Sequence, residues 1–307
     1  MSAQPNSSVK APTAAPADLT PRQRTFRRGM RNLWRRKVAL VGLLIVLVVV
    51  VCAVFAPLIA PHDPIEQNLE LKLQPPAWME GGNRTYLLGT DHLGRDILSR
   101  LIWGARISLI VGLSAVLISG GLGTILGLLS GYFRGWVDDV IGRLGDIQLA
   151  FPFTLLALAV LAVLGTGTGK TIAVLGIAGW VIYARVLRSE VLTLRERDFV
   201  TAARAIGNTD LSIIIKHIYP NTVASLIVIS TLEVPRVMIT ESALTFLGLG
   251  IQPPIVTWGG MLADARNYIT THWWVAAFPG LALQITVLGL NLVGDWLRDT
   301  LDPRLKI

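Results

Sequence analysis

The 307 residues are 52% hydrophobic and only 16% charged, and their mean hydropathy is +0.56. A water-soluble domain carries about 25% charged residues, so this composition indicates an integral membrane protein. The formal net charge is +8, and most of the excess positive charge precedes the first apolar run. Basic residues next to a membrane span are explained by its orientation in the membrane, so they do not indicate binding of nucleic acid. The single cysteine, Cys52, excludes an intrachain disulfide and a multi-cysteine metal site.

Residues 1–37 form a polar tail that we expect to lie in the cytoplasm. Apolar residues recur at helical spacing between Phe26 and Trp34, with arginines between them. This pattern predicts a basic amphipathic helix on the cytoplasmic surface of the lipid bilayer. Anionic lipid headgroups would neutralise its charge.

Six apolar stretches are each long enough to cross the bilayer as a helix, which takes about 20 residues. They predict an all-α integral membrane protein in which 38–307 form one transmembrane domain. Six crossings put both termini on one side, and basic residues in the tail and after the second and fourth stretches assign that side to the cytoplasm. The predicted spans are 38–56, 105–133, 144–164, 171–190, 222–247 and 273–297.

No group of residues in the sequence indicates catalysis or metal binding. The string GTGTGKT at 165–171 resembles a phosphate-binding loop, but Leu164 stands where that motif needs its first glycine. Gly123, Gly127 and Gly131 lie four residues apart, which predicts close packing against another helix rather than a ligand site. We therefore expect neither catalytic residues nor a cofactor or metal in this chain.

The loop at 57–104 is predicted to lie outside. It is too long to be a simple connector, so we expect it to have a functional role. Asp91, Arg95 and Asp96 form a cluster of charges at the outer mouth of the second span. Two roles are open for them. They could pair with each other and fix the helix end, or they could contact an external partner protein.

The second long loop, predicted to be cytoplasmic, is the segment 191–221. It contains FVTAARAIGNTDLSIIIKHIYPN at 199–221, in which a helix with small residues breaks at Gly207 and resumes near Asp210. Side chains at 208–210 can cap the second helix. Two short helices joined by a tight bend are predicted, and the small residues permit close docking by another protein.

Three charged residues and a proline interrupt the fifth predicted span: Glu233, Pro235, Arg236 and Glu241. A charge at the bilayer centre costs about 2.5–3.5 kcal/mol, so these residues should face the bundle interior, a partner helix or water. Pro235 lacks a backbone N–H and is expected to bend the helix. Two roles are possible for these residues: Glu233 and Arg236 could pair within the helix, and the residues could line a polar path. The two roles are compatible.

The 199–221 segment resembles the EAA loop of ATP-binding cassette (ABC) importer permeases. That loop has two alanines, a glycine four residues after the second, and a proline thirteen residues further on. Ala202, Ala203, Gly207 and Pro220 occupy these positions, while Thr201 replaces the family glutamate. The resemblance implies that these residues form the coupling helix that contacts an ATPase subunit.

Three more strings resemble the C-type permease of the dipeptide/oligopeptide/nickel branch of this family. They are GTDHLGRDILSRLIWGARISL at 89–109, ALTFLGLGIQPPIVTWGGML at 243–262 and NLVGDWLRDTLDPRLK at 291–306. A fourth, PPAWMEGG at 75–82, resembles the members that carry dipeptides. The resemblance covers nearly everything after residue 38.

The resemblance implies the type I ABC importer permease fold and a non-catalytic subunit of a bacterial inner-membrane complex. Its partners would be a B-type permease in a heterodimer, two ATPase subunits that hold ATP and Mg, and a periplasmic peptide-binding protein. The complex would import dipeptides or short oligopeptides by alternating access. Glutathione, nickel or another small ligand is the alternative cargo, and an ion-coupled secondary transporter is the remote alternative.

Overall fold

The computed structural model describes residues 37–301. The predicted amphipathic helix of the tail, and the last residues of the string at 291–306, lie outside this range. Within it the structure is helical, and the only β-type pairing is an isolated bridge between Thr90 and Asp96. The prediction of an all-α membrane protein is confirmed for the described residues.

The longer helices are named here in chain order, and short turns over Ala56–Ile59 and Leu69–Leu71 lie between the first two. The helices are α1 Lys37–Val54, α2 Ile97–Phe133, α3 Gly135–Leu149, α4 Phe153–Leu164, α5 Thr168–Ala178, α6 Trp180–Leu194, α7 Asp198–Ala205, α8 Asp210–Phe246, α9 Trp258–Ala265 and α10 Trp274–Leu301. Within α8, the segment Ile214–Ile218 is π-helical.

Five segments of the described chain are long and apolar enough to cross a membrane: α1, α2, the pair α5–α6, α8 and α10. The sixth crossing requires α3 and α4 together, and these helices meet at 87°. The prediction of one continuous helix over 144–164 is therefore wrong. Pro152 has no N–H and disfavours a helical Phe151, which breaks the helix. Alone, α4 extends only about 18 Å, against a hydrocarbon layer of roughly 30 Å.

The close packing predicted for the glycines of α2 is confirmed, and α6 is the partner helix. A Cβ added to Gly127 would lie 2.7 Å from the carbonyl oxygen of Ala184 and 2.8 Å from Cβ of Leu187. A Cβ added to Gly131 would lie 2.7 Å from Cβ of Val191. Small residues let the two backbones approach, and van der Waals packing then holds the helices together.

Two hydrophobic clusters lie along α2. The larger one occupies the middle of the bundle and contains fully buried side chains such as Leu161, Leu175 and Met238. The smaller one, called the hairpin cluster here, lies where α7 and the start of α8 meet the ends of α2 and α6. Its buried members are Leu128, Tyr132, Val191, Val200, Ala203, Ile213, Ile214 and Ile218.

The loops fall at opposite ends of α2. Asp264 of α9 is paired with Arg95, just before α2 begins, and Trp78 contacts Phe278 at the start of α10. At the other end, Tyr132 contacts Asp210. The loop at 57–104, predicted to be outside, thus shares one end of the bundle with α9 and the start of α10, while the 191–221 segment lies at the other.

Candidate functional site

A cleft of about 420 Å³ opens beside α8, at the break between α3 and α4. Most of its wall is apolar, and several charged and polar side chains also face it. The residues that line it include Ser119, Gln148, Phe151, Phe153, Arg185, Glu233, Arg236 and Thr240. Polar side chains grouped at a cleft between apolar helices give intramembrane charges the partners that they require.

Glu233 and Arg236 form an ion pair on the wall of this cleft. Arg236 Nη1 lies 3.3 Å from Glu233 Oε1, and the two residues are three positions apart on α8. The Arg236 side chain is 54% exposed and that of Glu233 is 15% exposed. The Arg236 guanidinium also lies over the ring of Phe153, 5.7 Å from its centroid. Pairing and cleft lining therefore occur together, while passage of a ligand through the cleft stays a prediction.

Pro235 and Glu241, predicted for the same path, are buried outside this cleft. A helix turns by about 100° per residue, so Glu241 points well away from Arg236. Its carboxylate accepts hydrogen bonds from the hydroxyls of Thr245 at 2.8 Å and Ser242 at 3.4 Å. Thr245 Oγ1 in turn accepts from the N–H of Ile251. The chain thus uses Glu241 to fix the turn after α8.

Gln148 holds the wall of the cleft at the junction between α5 and α6. Its Nε2 donates to the carbonyl oxygen of Ala178 at 2.5 Å, and its Oε1 accepts from Nε1 of Trp180 at 2.8 Å. A carbonyl released by a helix break needs such a partner inside a membrane. The junction between α5 and α6 is therefore held by a side chain of α3.

The bend predicted in the 191–221 segment is a Schellman motif. Gly207 has φ +83°. Asn208 N–H donates to Ala203 O at 3.1 Å, and Gly207 N–H donates to Arg204 O at 3.0 Å. Glycine adopts this left-handed conformation without strain, which explains its position. The predicted cap is also present, because Thr209 Oγ1 accepts from the N–H of Ser212.

One feature of this segment was predicted wrongly. The second helix is not a separate short helix, because it continues through the π-helical segment Ile214–Ile218 into the rest of α8. Pro220 lies directly after that segment, at the start of the α-helical part Tyr219–Phe246. Movement of the bend is therefore mechanically connected to the helix that carries Glu233 and Arg236.

The tip of the bend presents apolar side chains to the surroundings. Ile206 is 81% exposed and Leu211 is 67% exposed. Ala202, Gly207 and Pro220 are exposed, whereas Ala203 packs inward in the hairpin cluster. Large apolar side chains exposed around a tight bend are typical of a surface that another protein covers.

The charged cluster at the other end of α2 is a buried network. Asp91 Oδ2 accepts from Arg95 Nε at 2.7 Å and from Arg100 Nη1 at 2.8 Å. Asp264 Oδ2 accepts from Nη2 of Arg95 at 2.8 Å and from Nη2 of Arg100 at 3.1 Å. Sequence reasoning missed Arg100 and Asp264. Arg100 lies in the same string as Asp91, so its proximity in sequence could have indicated it. Asp264 is distant in sequence, and no pattern relates it to Asp91.

Asp96 caps α2 and does not join that network. Its Oδ2 accepts from Ser99 N–H at 2.9 Å and from Ser99 Oγ at 2.6 Å. His62 Nδ1 lies 3.4 Å away. Because Asp91, Arg95 and Asp96 are all buried, their geometry favours the role of fixing the helix end. Contact of this region with an external protein stays a prediction.

Asp91, His92 and Asp264 bring three possible metal ligands within 4.8 Å of one another. The two guanidinium groups that already bond both carboxylates disfavour a cation there, because like charges at this distance repel. The arrangement is that of a structural ion-pair network.

Two family models match the chain. Residues 123–307 match the binding-protein-dependent transport system inner membrane component, and residues 24–76 match the N-terminal transmembrane domain of oligopeptide transport permease C. Both matches overlap the described spans.

Several curated proteins are similar over nearly their whole length. The di/tripeptide transport system permease protein of Pseudomonas aeruginosa is 48% identical, covering 90% of this chain and 93% of that protein. The dipeptide transport system permease protein of Escherichia coli K12 is 46% identical, covering 95% of this chain and 96% of that protein. The glutathione transport system permease protein of Pectobacterium atrosepticum is 40% identical, covering 93% and 94%.

Proposed function

The chain belongs to the family of binding-protein-dependent transport system inner membrane components, and from that premise we propose that it is the C-type membrane subunit of an ABC importer for dipeptides or short oligopeptides. It is a multi-pass protein of the bacterial inner membrane. The observation that carries the substrate class is the group of relatives named for dipeptide or di/tripeptide transport at 42–48% identity.

The proposed complex contains a B-type permease, two ATPase subunits that bind ATP and Mg, and a periplasmic peptide-binding protein. This chain supplies no catalytic group for hydrolysis. The family description, which names dependence on a binding protein, supports that partner. The exposed apolar bend supports the ATPase contact, and Ala202, Ala203, Gly207 and Pro220 are the residues that we propose for it.

The binding protein is proposed to dock on the loop at 62–88, next to the network that contains Asp91 and Arg95 and to the helix cap Asp96. Trp78 is exposed there, while the network keeps the end of α2 rigid beneath it. Photo-crosslinkers placed at 62–88 should label the binding protein in a complex trapped with its peptide. Complete absence of crosslinks would contradict this contact.

The mechanism we propose is alternating access. Binding of ATP closes the ATPase subunits and displaces the docked bend, and the bundle converts that displacement into opening of the cleft. The loaded binding protein and ATP must favour the same state for the two events to be coupled. The Arg236 side chain on the cleft wall is exposed in this chain. We propose that the second permease covers this wall and completes the path.

The cleft suits a zwitterionic peptide. The Glu233 carboxylate can accept hydrogen bonds from a peptide ammonium, and the Arg236 guanidinium can donate two hydrogen bonds to a peptide carboxylate. The aromatic rings of Phe151 and Phe153 offer apolar surface for side chains. Glutathione carries the same charged groups, and one relative is named for it, so it is the second candidate.

Uptake by a strain that lacks this chain tests the substrate class. The strain, complemented or not with the gene, is given a panel of labelled dipeptides, tripeptides, longer peptides and glutathione. We expect dipeptide uptake to return on complementation. Restored uptake of glutathione without restored uptake of dipeptides would transfer the assignment to the second candidate.

A further inference from the structure

Tyr132, at the end of α2, makes contacts that neither the motifs nor the cleft explain. Its side chain is 5% exposed. The hydroxyl donates to Asp210 Oδ1 at 2.5 Å and accepts from Arg204 Nη2 at 3.4 Å. Arg204 lies in α7 and Asp210 begins α8, so a single hydroxyl joins the two sides of the bend at Gly207.

The ring and backbone of the same residue are held as well. The guanidinium carbons of Arg195 and Arg204 each lie 5.9 Å from the centroid of the Tyr132 ring. Arg195 Nη1 also donates to the carbonyl oxygen of Tyr132 at 2.5 Å. Arg195 directly follows α6, so the end of α2 is connected to α6, α7 and α8 through one side chain and its carbonyl.

Apolar packing strengthens this connection. Val200 and Ala203 of α7, with Ile213 and Ile218 of α8, are buried in the hairpin cluster with Tyr132. Such packing makes the bend move as a unit with the ends of α2 and α6.

The direct route along α8 contains a weaker element. The π-helical segment Ile214–Ile218 separates the bend from the part of α8 that carries Glu233 and Arg236. Hydrogen bonds of the i→i+5 type are rare, and such segments are frequent at functional sites. The connection along α8 is therefore interrupted by a turn with irregular hydrogen bonding.

α2 offers a second route to the cleft. Near its middle, a Cβ added to Gly112 would lie 3.0 Å from Met238 Cγ and 3.4 Å from Val234 Cγ1. Val234 is the neighbour of Glu233 on α8. The part of α2 from Gly112 to Tyr132 forms a rod of about 30 Å that contacts the bend at one end and the helix of the cleft at the other.

We infer that Tyr132 is a positioning residue for energy coupling: its hydroxyl fixes the bend to α2, and α2 transmits the displacement of the bend to the cleft wall. This inference rests on the proposed function, in which an ATPase subunit displaces the bend. It adds a residue that lies outside the EAA-like string and 70 positions before Ala202.

The test uses the complete complex in proteoliposomes and measures the ratio of peptide imported to ATP hydrolysed. Tyr132→Phe keeps the ring and both cation–π contacts but removes the hydroxyl. Asp210 and Arg204 are exposed, so water can replace the lost partner and the fold should persist. We expect the ATPase subunits to remain bound and hydrolysis to continue. The ratio should fall about three- to tenfold, the factor that corresponds to the net worth of one hydrogen bond.

Two further variants make the result specific. Asp210→Asn weakens the same bond, so the double variant with Tyr132→Phe should show a ratio no lower than the worse single variant. Tyr268→Phe makes the same chemical change at the other end of the bundle, where Tyr268 stacks on His92, and should leave the ratio unchanged.

A wild-type ratio in Tyr132→Phe would overturn the inference while leaving the proposed function intact. Parallel loss of hydrolysis and uptake, or loss of the ATPase subunits on purification, would also overturn it, because Tyr132 would then support assembly only. If the wild-type complex imports no peptide with ATP, the proposed function itself fails and the inference fails with it.

Discussion

Arg236 and Glu233 pair at 3.3 Å on α8, yet one side chain is more than half exposed to the cleft while the other is mostly covered. Water-soluble thiol reagents can test whether this wall faces an aqueous path. In a Cys52→Ala background, cysteine at 236 should react fastest, and cysteine at 233 more slowly. Cysteine at 240 should react only when the cleft opens, because Thr240 is buried.

Glu241→Cys is the control for that experiment. Its side chain is fully buried on another face of the same helix, so it should stay unmodified in every state. Modification is measured with and without trapped ATP hydrolysis. Uniform protection at 233, 236 and 240 would place this wall in a dry interface and contradict the path.

Gly207 should support coupling through its backbone conformation rather than through its small size. Nothing lies within 4 Å of a Cβ built there, whereas φ is +83°. A β-branched residue in the left-handed region costs on the order of 1–2 kcal/mol or more, but asparagine tolerates it. Gly207→Val should therefore reduce peptide uptake per ATP hydrolysed, while Gly207→Asn retains most of it. Equal effects of the two substitutions would refute the conformational explanation.

The network at the start of α2 should contribute strongly to stability. Asp91 is buried between Arg95 and Arg100, so Asp91→Asn leaves buried positive charge poorly compensated. Loss of a partner in a buried pair costs about 3–5 kcal/mol. Thermal unfolding of the purified complex in detergent should show a large decrease in the midpoint.

The matched control for Asp91 is Asp146→Asn, which breaks an exposed pair with Arg185. Exposed pairs contribute about 0–1 kcal/mol, so its midpoint should hardly change. If both variants shift the midpoint equally, burial does not determine the strength of the network.

Helix packing along α2 predicts opposite effects for two glycines. Gly127→Ala introduces a methyl group 2.7 Å from the Ala184 carbonyl oxygen, and overpacking of this kind costs about 1–3 kcal/mol. At Gly121 nothing lies within 4 Å, so Gly121→Ala should stabilise the helix by about 0.5–1 kcal/mol. Unfolding midpoints of the two variants measure the difference. A stabilising Gly127→Ala would show that α2 and α6 are not in close contact.

Sequence alone predicted the features that depend on neighbouring residues. The apolar spans, the glycine spacing of α2 and the turn at Gly207 each follow from the local chain, because helix periodicity and left-handed backbone geometry are local properties. The bend at Pro152 was missed because the apolar composition continues on both sides of it. A hydropathy pattern records burial in lipid but not the direction of the helix.

Features that depend on distant residues were not accessible from sequence. Asp264 pairs with Arg95 and Tyr132 bonds Asp210 only after the helices pack, since 169 and 78 positions separate these pairs. Glu233 and Glu241 looked equivalent within the fifth span. Only the observed packing places Glu233 beside a cleft and Glu241 against two hydroxyl groups.

Reconstitution of transport tests the central claim most directly. Proteoliposomes that contain this chain with its partner permease and ATPase subunits are supplied with ATP on the ATPase side, and with binding protein and labelled dipeptide on the other. We predict dipeptide accumulation that requires both ATP and the binding protein and that unlabelled dipeptides inhibit. Accumulation driven by an ion gradient without ATP, or absence of dipeptide uptake when ATP is hydrolysed, would contradict the account.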